Sequence, residues 1–205
     1  MNVQTRLVPG LGLACITAAF LAGILQGIWE RAHPILVTGG TFAAASATQR
    51  WCYAMLALIK SVGFLAGLFG FFRIATKRGW IVKSFMGLAL LGAGFFSAIW
   101  IVMAATGQHT LVYVLGGMWY QMIAPVVLGI ASLRAHRMPL WASLWTIFVG
   151  LLNSQVFALL KPDMALMVQG VIWVILGYLV YIYGSPGEQT VGPERGDNVF
   201  SNLLE

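Results

Sequence analysis

Long apolar runs dominate this chain, and each is long enough to cross a bilayer as a helix. A helix needs roughly 20 apolar residues to span the hydrocarbon core. Six such runs occur, at residues 7–29, 52–73, 81–106, 111–133, 139–160 and 164–184. The sequence therefore predicts an all-α, polytopic integral membrane protein built as a bundle of six transmembrane helices.

The composition argues against a soluble domain. Hydrophobic residues make up 60% of the chain and charged residues only 9%, more apolar surface than a soluble fold of this length can bury. The net charge of +6 does not indicate nucleic-acid binding, because the basic residues lie in short loops between apolar runs. The expected surroundings are the lipid bilayer, and no nucleic-acid partner is expected.

The basic residues predict the orientation. One side of the predicted membrane holds Arg6, Arg73, Lys77, Arg78, Lys83, Arg134, Arg137 and Arg195, and the other holds Arg31, Arg50 and Lys161. The positive-inside rule then places both termini in the cytoplasm. Residues 1–184 would form the transmembrane domain, and 185–205, rich in glycine, proline and charge, a flexible cytoplasmic tail. The expected location is a membrane, the cytoplasmic membrane of a bacterium.

The first apolar run is expected to remain as a helix. It is longer than the apolar core of a signal peptide and lacks a small-x-small cleavage site before Gln26. The cysteines, Cys15 and Cys52, fall near opposite ends of their predicted helices, so no disulfide is expected between them.

One cation, Lys60, lies inside the second run. It is nine residues from Trp51, so the helical rise places it roughly 13 Å below the outer boundary, deeper than a lysine stem comfortably spans. Gly63 and Gly67 follow on the same side, and small residues at this spacing mark the close approach of helices. Lys60 is therefore predicted to face the interior of the bundle.

Other polar side chains gather in the same half of the predicted bundle. Amides and charges facing lipid are unfavourable, so their shared depth favours a polar pocket that opens outward. Aromatic residues beside Gln121 would provide its walls. The predicted ligand-binding residues are Lys60, Gln121, Asn153, Gln155, Gln169, Trp119, Tyr120 and Glu30. In the alternative interpretation, each amide makes its own interhelical hydrogen bond and only stabilises packing.

Metal and cofactor sites are not expected. Glu30 and His33 have the spacing of di-iron carboxylate bundles, but the further inward carboxylates of such sites are missing. Adding His109 gives no defined ligand spacing. No histidine lies inside a predicted helix at a depth that would suit haem, and a Schiff base on Lys60 would need a fitted counter-ion.

Two further patterns leave alternatives open. The outer loop 30–51 is half apolar, so it forms either a lid that dips towards the pocket or a plain surface helix. Lys60 precedes Arg73 by thirteen residues, and Gln121 precedes Arg134 by thirteen. A duplicated hairpin, 52–106 and 111–160, would explain this echo, and so would chance, because basic loops recur in helical membrane proteins.

The function is constrained only by class. No catalytic or nucleotide-binding motif is present, so enzymatic activity is not favoured. The first hypothesis is that the protein binds or transports a small amphipathic or anionic molecule in the outer half of the bundle. The alternatives are an accessory or assembly protein that packs on partner membrane proteins or on a second copy, and a membrane-embedded enzyme acting on a lipid-soluble substrate.

Overall fold

The computed structural model describes residues 3–34, 39–76, 79–108 and 116–184, and every secondary-structure element in these ranges is helical. Helix α1 is continuous through Val3–Ala19, a π-helical segment Phe20–Leu25 and Gln26–Ala32. Helix α2 is short, Gly39–Ala44, and α3 and α4 follow as Ala47–Ala75 and Trp80–Thr106. Helix α5 comprises a π-helical segment Met118–Ile123 and Ala124–Ala135. Helices α6 and α7 are Leu140–Leu159 and Pro162–Gly184.

Four described helices are long and apolar enough to cross a membrane, namely Leu7–Ala32, Ala47–Ala75, Trp80–Thr106 and Pro162–Gly184. A shorter apolar helix covers Leu140–Asn153. The described part of the chain is thus all-helical, with helices suited to a membrane, as the apolar runs predict. The predicted tail, 185–205, and the start of the fourth predicted span, 111–115, lie outside the described residues.

The bundle has two ends. The outer end is the one at which α1 ends and α3 and α7 begin, and the inner end is opposite. At the outer end Ser46 and Gln49 form a capping box that starts α3. Gly107, with φ of 71°, ends α4 in the left-handed conformation that favours glycine.

Helix α1 packs antiparallel on α7 through glycines. A Cβ atom added at Gly12 would lie 2.6 Å from the backbone nitrogen of Tyr181 and 2.7 Å from the carbonyl oxygen of Gly177. One added at Gly23 would lie 2.5 Å from Cα of Gly170. The two backbones therefore approach as closely as small residues allow. Helices in lipid associate by such close packing, because the hydrophobic effect does not drive them together there.

Helix α3 packs between α1, α4 and α7. Gly67 of α3 lies against Cys15 of α1. Gly63 of α3 lies against Ala18, which is one turn after Cys15 on α1. The predicted role of Gly63 and Gly67 as a site of close helix approach is therefore observed. Because Lys60 lies one turn from Gly63, this contact also holds Lys60 inside the bundle.

The described part of the outer loop is anchored on α4. Phe42 of α2 is fully buried, and its ring meets Trp100 edge-on with centroids 6.0 Å apart. The Arg50 guanidinium donates to the carbonyl oxygens of Ala45 at 2.8 Å and Ala104 at 3.3 Å. This segment forms a short helix with a buried aromatic anchor, and residues 35–38 lie outside the described chain.

Candidate functional site

Lys60 lies buried near the middle of α3. Only 6% of it is exposed, and its ammonium Nζ donates a hydrogen bond to Oε1 of Gln169 on α7 at 3.0 Å. The predicted inward orientation of Lys60 is thus observed. Ionisable groups buried in long apolar helices are rare and often belong to functional sites, so Lys60 is the centre of the candidate site.

Three amides from three helices join Lys60 in one hydrogen-bonded cluster. Nε2 of Gln169 donates to Oε1 of Gln121 at 2.8 Å and to Oδ1 of Asn153 at 2.9 Å. Nδ2 of Asn153 donates to Oε1 of Gln121 at 3.1 Å. These four residues, Lys60, Gln121, Asn153 and Gln169, form the polar cluster, and each is at most 6% exposed.

An aromatic pair closes the polar cluster on its inner side. Phe64 and Trp173 each lie four residues after a cluster member, and their rings stack with centroids 4.0 Å apart and planes 6° apart. The two matched contacts show that α3 and α7 run parallel and in register at this level. Nε1 of Trp173 also donates to Oδ1 of Asn153 at 3.4 Å, so the pair is tied to the cluster.

The π-helical segment of α5 turns two consecutive residues inward. Tyr120 and Gln121 are both buried, and Nε2 of Gln121 donates to the Tyr120 hydroxyl. That hydroxyl is hydrogen-bonded to Ser61, which in turn accepts from Ser97 of α4 at 2.8 Å. π-helical segments are rare and frequently accompany functional sites. Hydrogen bonding thus extends from the polar cluster to a helix that contributes no amide to it.

Glu30 lies apart from the polar cluster, towards the outer end. It is 1% exposed and accepts a hydrogen bond from the Tyr53 hydroxyl. Tyr53 precedes Lys60 by seven residues on the same face of α3, which is roughly 10 Å by the helical rise. Gln26 lies one turn from Glu30 on α1, and its buried Oε1 has no hydrogen-bond partner in the described part of the chain.

The remaining predicted residues are placed differently. Trp119 is 40% exposed and lies against Gly92 of α4, away from the polar cluster. Gln155 lies on α6, but its side chain is outside the described part of the structure, as is His109. His33 stacks on Trp29 at 4.3 Å. No group of potential metal ligands occurs among the described residues.

The polar cluster has more hydrogen-bond donors than acceptors. Every amide oxygen in it already accepts, those of Gln121 and Asn153 twice. Among described residues the Lys60 ammonium has one partner, Gln169, although an ammonium carries further N–H donors. The amide nitrogens of Gln121 and Asn153 also use only one donor each. A group that completes this site must therefore be an acceptor, such as a carboxylate, phosphate or carbonyl oxygen.

Sequence reasoning missed several members of this network. Trp173 follows Gln169 by four residues and Tyr53 precedes Lys60 by seven, so helical periodicity places each on the face of a predicted site residue. Ser61 and Ser97 carry no such signal, because a serine in an apolar helix is more often bonded to its own backbone.

Comparison with known proteins adds no functional assignment. No family model matches the chain, and no curated protein and no solved structure matches it. The polar cluster itself is therefore the basis for a functional proposal.

Proposed function

We propose that this protein binds a small amphipathic or anionic molecule at the polar cluster. The surplus of N–H donors around the buried Lys60 ammonium carries the proposal. An unused N–H in apolar surroundings is unfavourable, so a ligand oxygen placed there would gain a strong, charge-assisted hydrogen bond. Gln121 and Asn153 would orient it. Apolar walls with a few convergent polar groups are the usual anatomy of ligand pockets.

Binding from the outer end is favoured over transport of a hydrophilic substrate through the bundle. The stacked Phe64 and Trp173 lie across the inner side of the cluster. Hydroxyl groups described nearer the inner end already have partners: Ser132 of α5 bonds Ser143 of α6 at 2.7 Å, and Thr146 bonds the backbone of its own helix. Transport would require the aromatic pair to separate, whereas binding requires no such movement.

The membrane arrangement is also a proposal. We propose that α5 and α6 cross the bilayer together with the four longer helices, which gives six spans with both termini in the cytoplasm. The excess of Lys and Arg at the inner end supports this orientation. The proposed location is the cytoplasmic membrane of a bacterium.

Thiol labelling of intact cells tests the orientation. In a Cys52→Ser background, Thr41→Cys is expected to react with a membrane-impermeant maleimide, and Glu194→Cys is expected to react only after the cells are permeabilised. The buried Cys15 should stay unlabelled in both variants. Labelling of Glu194→Cys in intact cells, with Thr41→Cys protected, would reverse the orientation.

A ligand-capture experiment tests the binding proposal. Purified protein in nanodiscs would be incubated with a lipid and metabolite extract, washed and analysed by mass spectrometry. The native protein is expected to retain molecules that carry a carboxylate, phosphate or carbonyl group. Lys60→Met should reduce that retention at least tenfold, because losing a charge-assisted hydrogen bond in a dry site costs about 1.5–3 kcal/mol.

Lys83→Met is the matched control, because Lys83 is exposed near the start of α4. It should retain the same molecules as the native protein. Identical profiles for the native and Lys60→Met proteins would remove Lys60 from the mechanism. An empty profile for both would contradict ligand binding and favour the second candidate.

The second candidate is an accessory or assembly protein. Gly87 and Gly94 lie exposed on α4, and a Cβ atom added at either would meet no atom within 4 Å. Small residues on a lipid-facing surface allow another helix to approach closely. In this candidate the amides of the polar cluster only stabilise the packing of α3, α5, α6 and α7.

A further inference from the structure

A groove runs along the seam between α4 and α5 at the inner end of the bundle. It encloses about 290 Å³ and is lined mainly by apolar side chains, among them Trp80, Ile81, Val127 and Ile130. Trp80 and Ile81 are exposed at 77% and 51%, so the groove opens on the side of the bundle and away from its core. In a membrane-spanning protein this surface faces lipid.

The groove carries a positive charge at its inner end. Arg134 belongs to its lining, is exposed, and donates no hydrogen bond to a described residue. It lies in the last turn of α5, and Trp80 is the first residue of α4, so both mark the level of the interface. A guanidinium at this level presents a fork of donors that matches a phosphate.

The seam continues as a second, uncharged groove towards the outer end. This groove encloses about 220 Å³ and is lined by Leu88, Leu91, Phe95 and Trp119, with glycines between them. Leu88 follows Trp80 by eight residues, roughly 12 Å along the helix. A guanidinium at one end and two apolar grooves in line beyond it suit a phospholipid whose phosphate meets the arginine and whose acyl chain lies along the seam.

We infer that the seam between α4 and α5 binds one anionic phospholipid, with its phosphate at Arg134 and an acyl chain along the apolar grooves. The argument is one of charge complementarity, because Arg134 faces the seam with no carboxylate in its described lining. Basic pockets between transmembrane helices are known to hold acidic lipid headgroups. This site is separate from the polar cluster and does not depend on the function proposed for it.

Native mass spectrometry with defined lipids tests the inference. Phosphatidylglycerol is expected to bind the full-length protein in neutral detergent at least fivefold more tightly than phosphatidylcholine. Arg134→Gln should weaken the binding of phosphatidylglycerol about fivefold, which is the effect of one basic residue near an anionic lipid. Ala131→Phe, which fills the groove without changing charge, should lower the affinity for both lipids.

The control is Arg31→Gln, because Arg31 is exposed at the opposite end of the bundle. It should bind phosphatidylglycerol as the native protein does. Glycerol 1-phosphate, which has the phosphate but no acyl chains, should not compete. The assignment would be overturned if the two lipids bound equally, or if Arg134→Gln and Ala131→Phe both left binding unchanged. It would also be overturned if Arg31→Gln lost as much affinity as Arg134→Gln, or if glycerol 1-phosphate competed.

Discussion

Leucine at Gly12 is expected to force α1 away from α7 and to lower the free energy of unfolding by about 2–3 kcal/mol. The reason is that the new Cβ would lie 2.6 Å from the backbone nitrogen of Tyr181 and 2.7 Å from the backbone oxygen of Gly177. A side chain could rotate away from such a contact, but backbone atoms can move only if the whole helix shifts. The expected readout is a lower midpoint in a denaturing-detergent titration followed by circular dichroism.

Gly10 provides the matched control on the same helix. It is exposed, and a Cβ atom added there would meet no atom within 4 Å. Gly10→Leu should therefore leave the free energy of unfolding within about 0.5 kcal/mol of the native value. Equal effects of the two substitutions would mean that α1 and α7 do not make this close contact in the bilayer.

Much of the fold could be predicted because long apolar runs permit few structures in a membrane. The observed helices extend beyond the predicted spans at both ends of the bundle, since α1 already begins at Val3 rather than 7. The largest extension is at the start of α3, which begins at Ala47 rather than 52. The cause is the capping box of Ser46 and Gln49, which adds a polar first turn to an apolar helix. Hydropathy alone does not predict such a turn, although the residues Ser-Ala-Thr-Gln have the pattern of a capping box.

The polar cluster was predictable to the extent that depth and helix face determine contacts. Lys60 and Gln169 come together because polar groups at a shared depth avoid lipid by hydrogen-bonding to one another. Trp119 and Tyr120 show where this reasoning ends, since only Tyr120 faces inward. Which of two adjacent residues turns inward depends on the π-helical segment of α5, and neither hydropathy nor helical periodicity predicts that segment.

The duplicated hairpin stays a prediction. It requires Lys60 and Gln121 to lie at equivalent depths, and both are hydrogen-bonded to Gln169. Gln169, however, lies on α7, outside both halves of the supposed repeat. A common partner therefore explains the shared depth of Lys60 and Gln121 as well as an ancestral duplication does.

Gln169→Leu is expected to lower the free energy of unfolding by about 2–4 kcal/mol, since it leaves the buried Lys60 ammonium without its described partner. Gln169 is the central residue of the polar cluster, because it accepts from Lys60 and donates to Gln121 and Asn153. Gln108→Leu is the control, since that glutamine is exposed beyond the end of α4. It should change the free energy of unfolding by no more than about 0.5 kcal/mol.

The double variant Lys60→Met/Gln169→Leu separates the charge from the packing. Replacing both partners by apolar residues of similar size removes the unpaired charge, so the double variant should be more stable than Gln169→Leu alone by at least about 1 kcal/mol. The measurement is a double-mutant cycle in the detergent titration used for Gly12→Leu. If the two losses simply add, the Lys60 ammonium must have another partner in the bilayer. Gln169 would then not be the residue that positions the ammonium towards a ligand, and the proposed binding site would have to include that other partner instead.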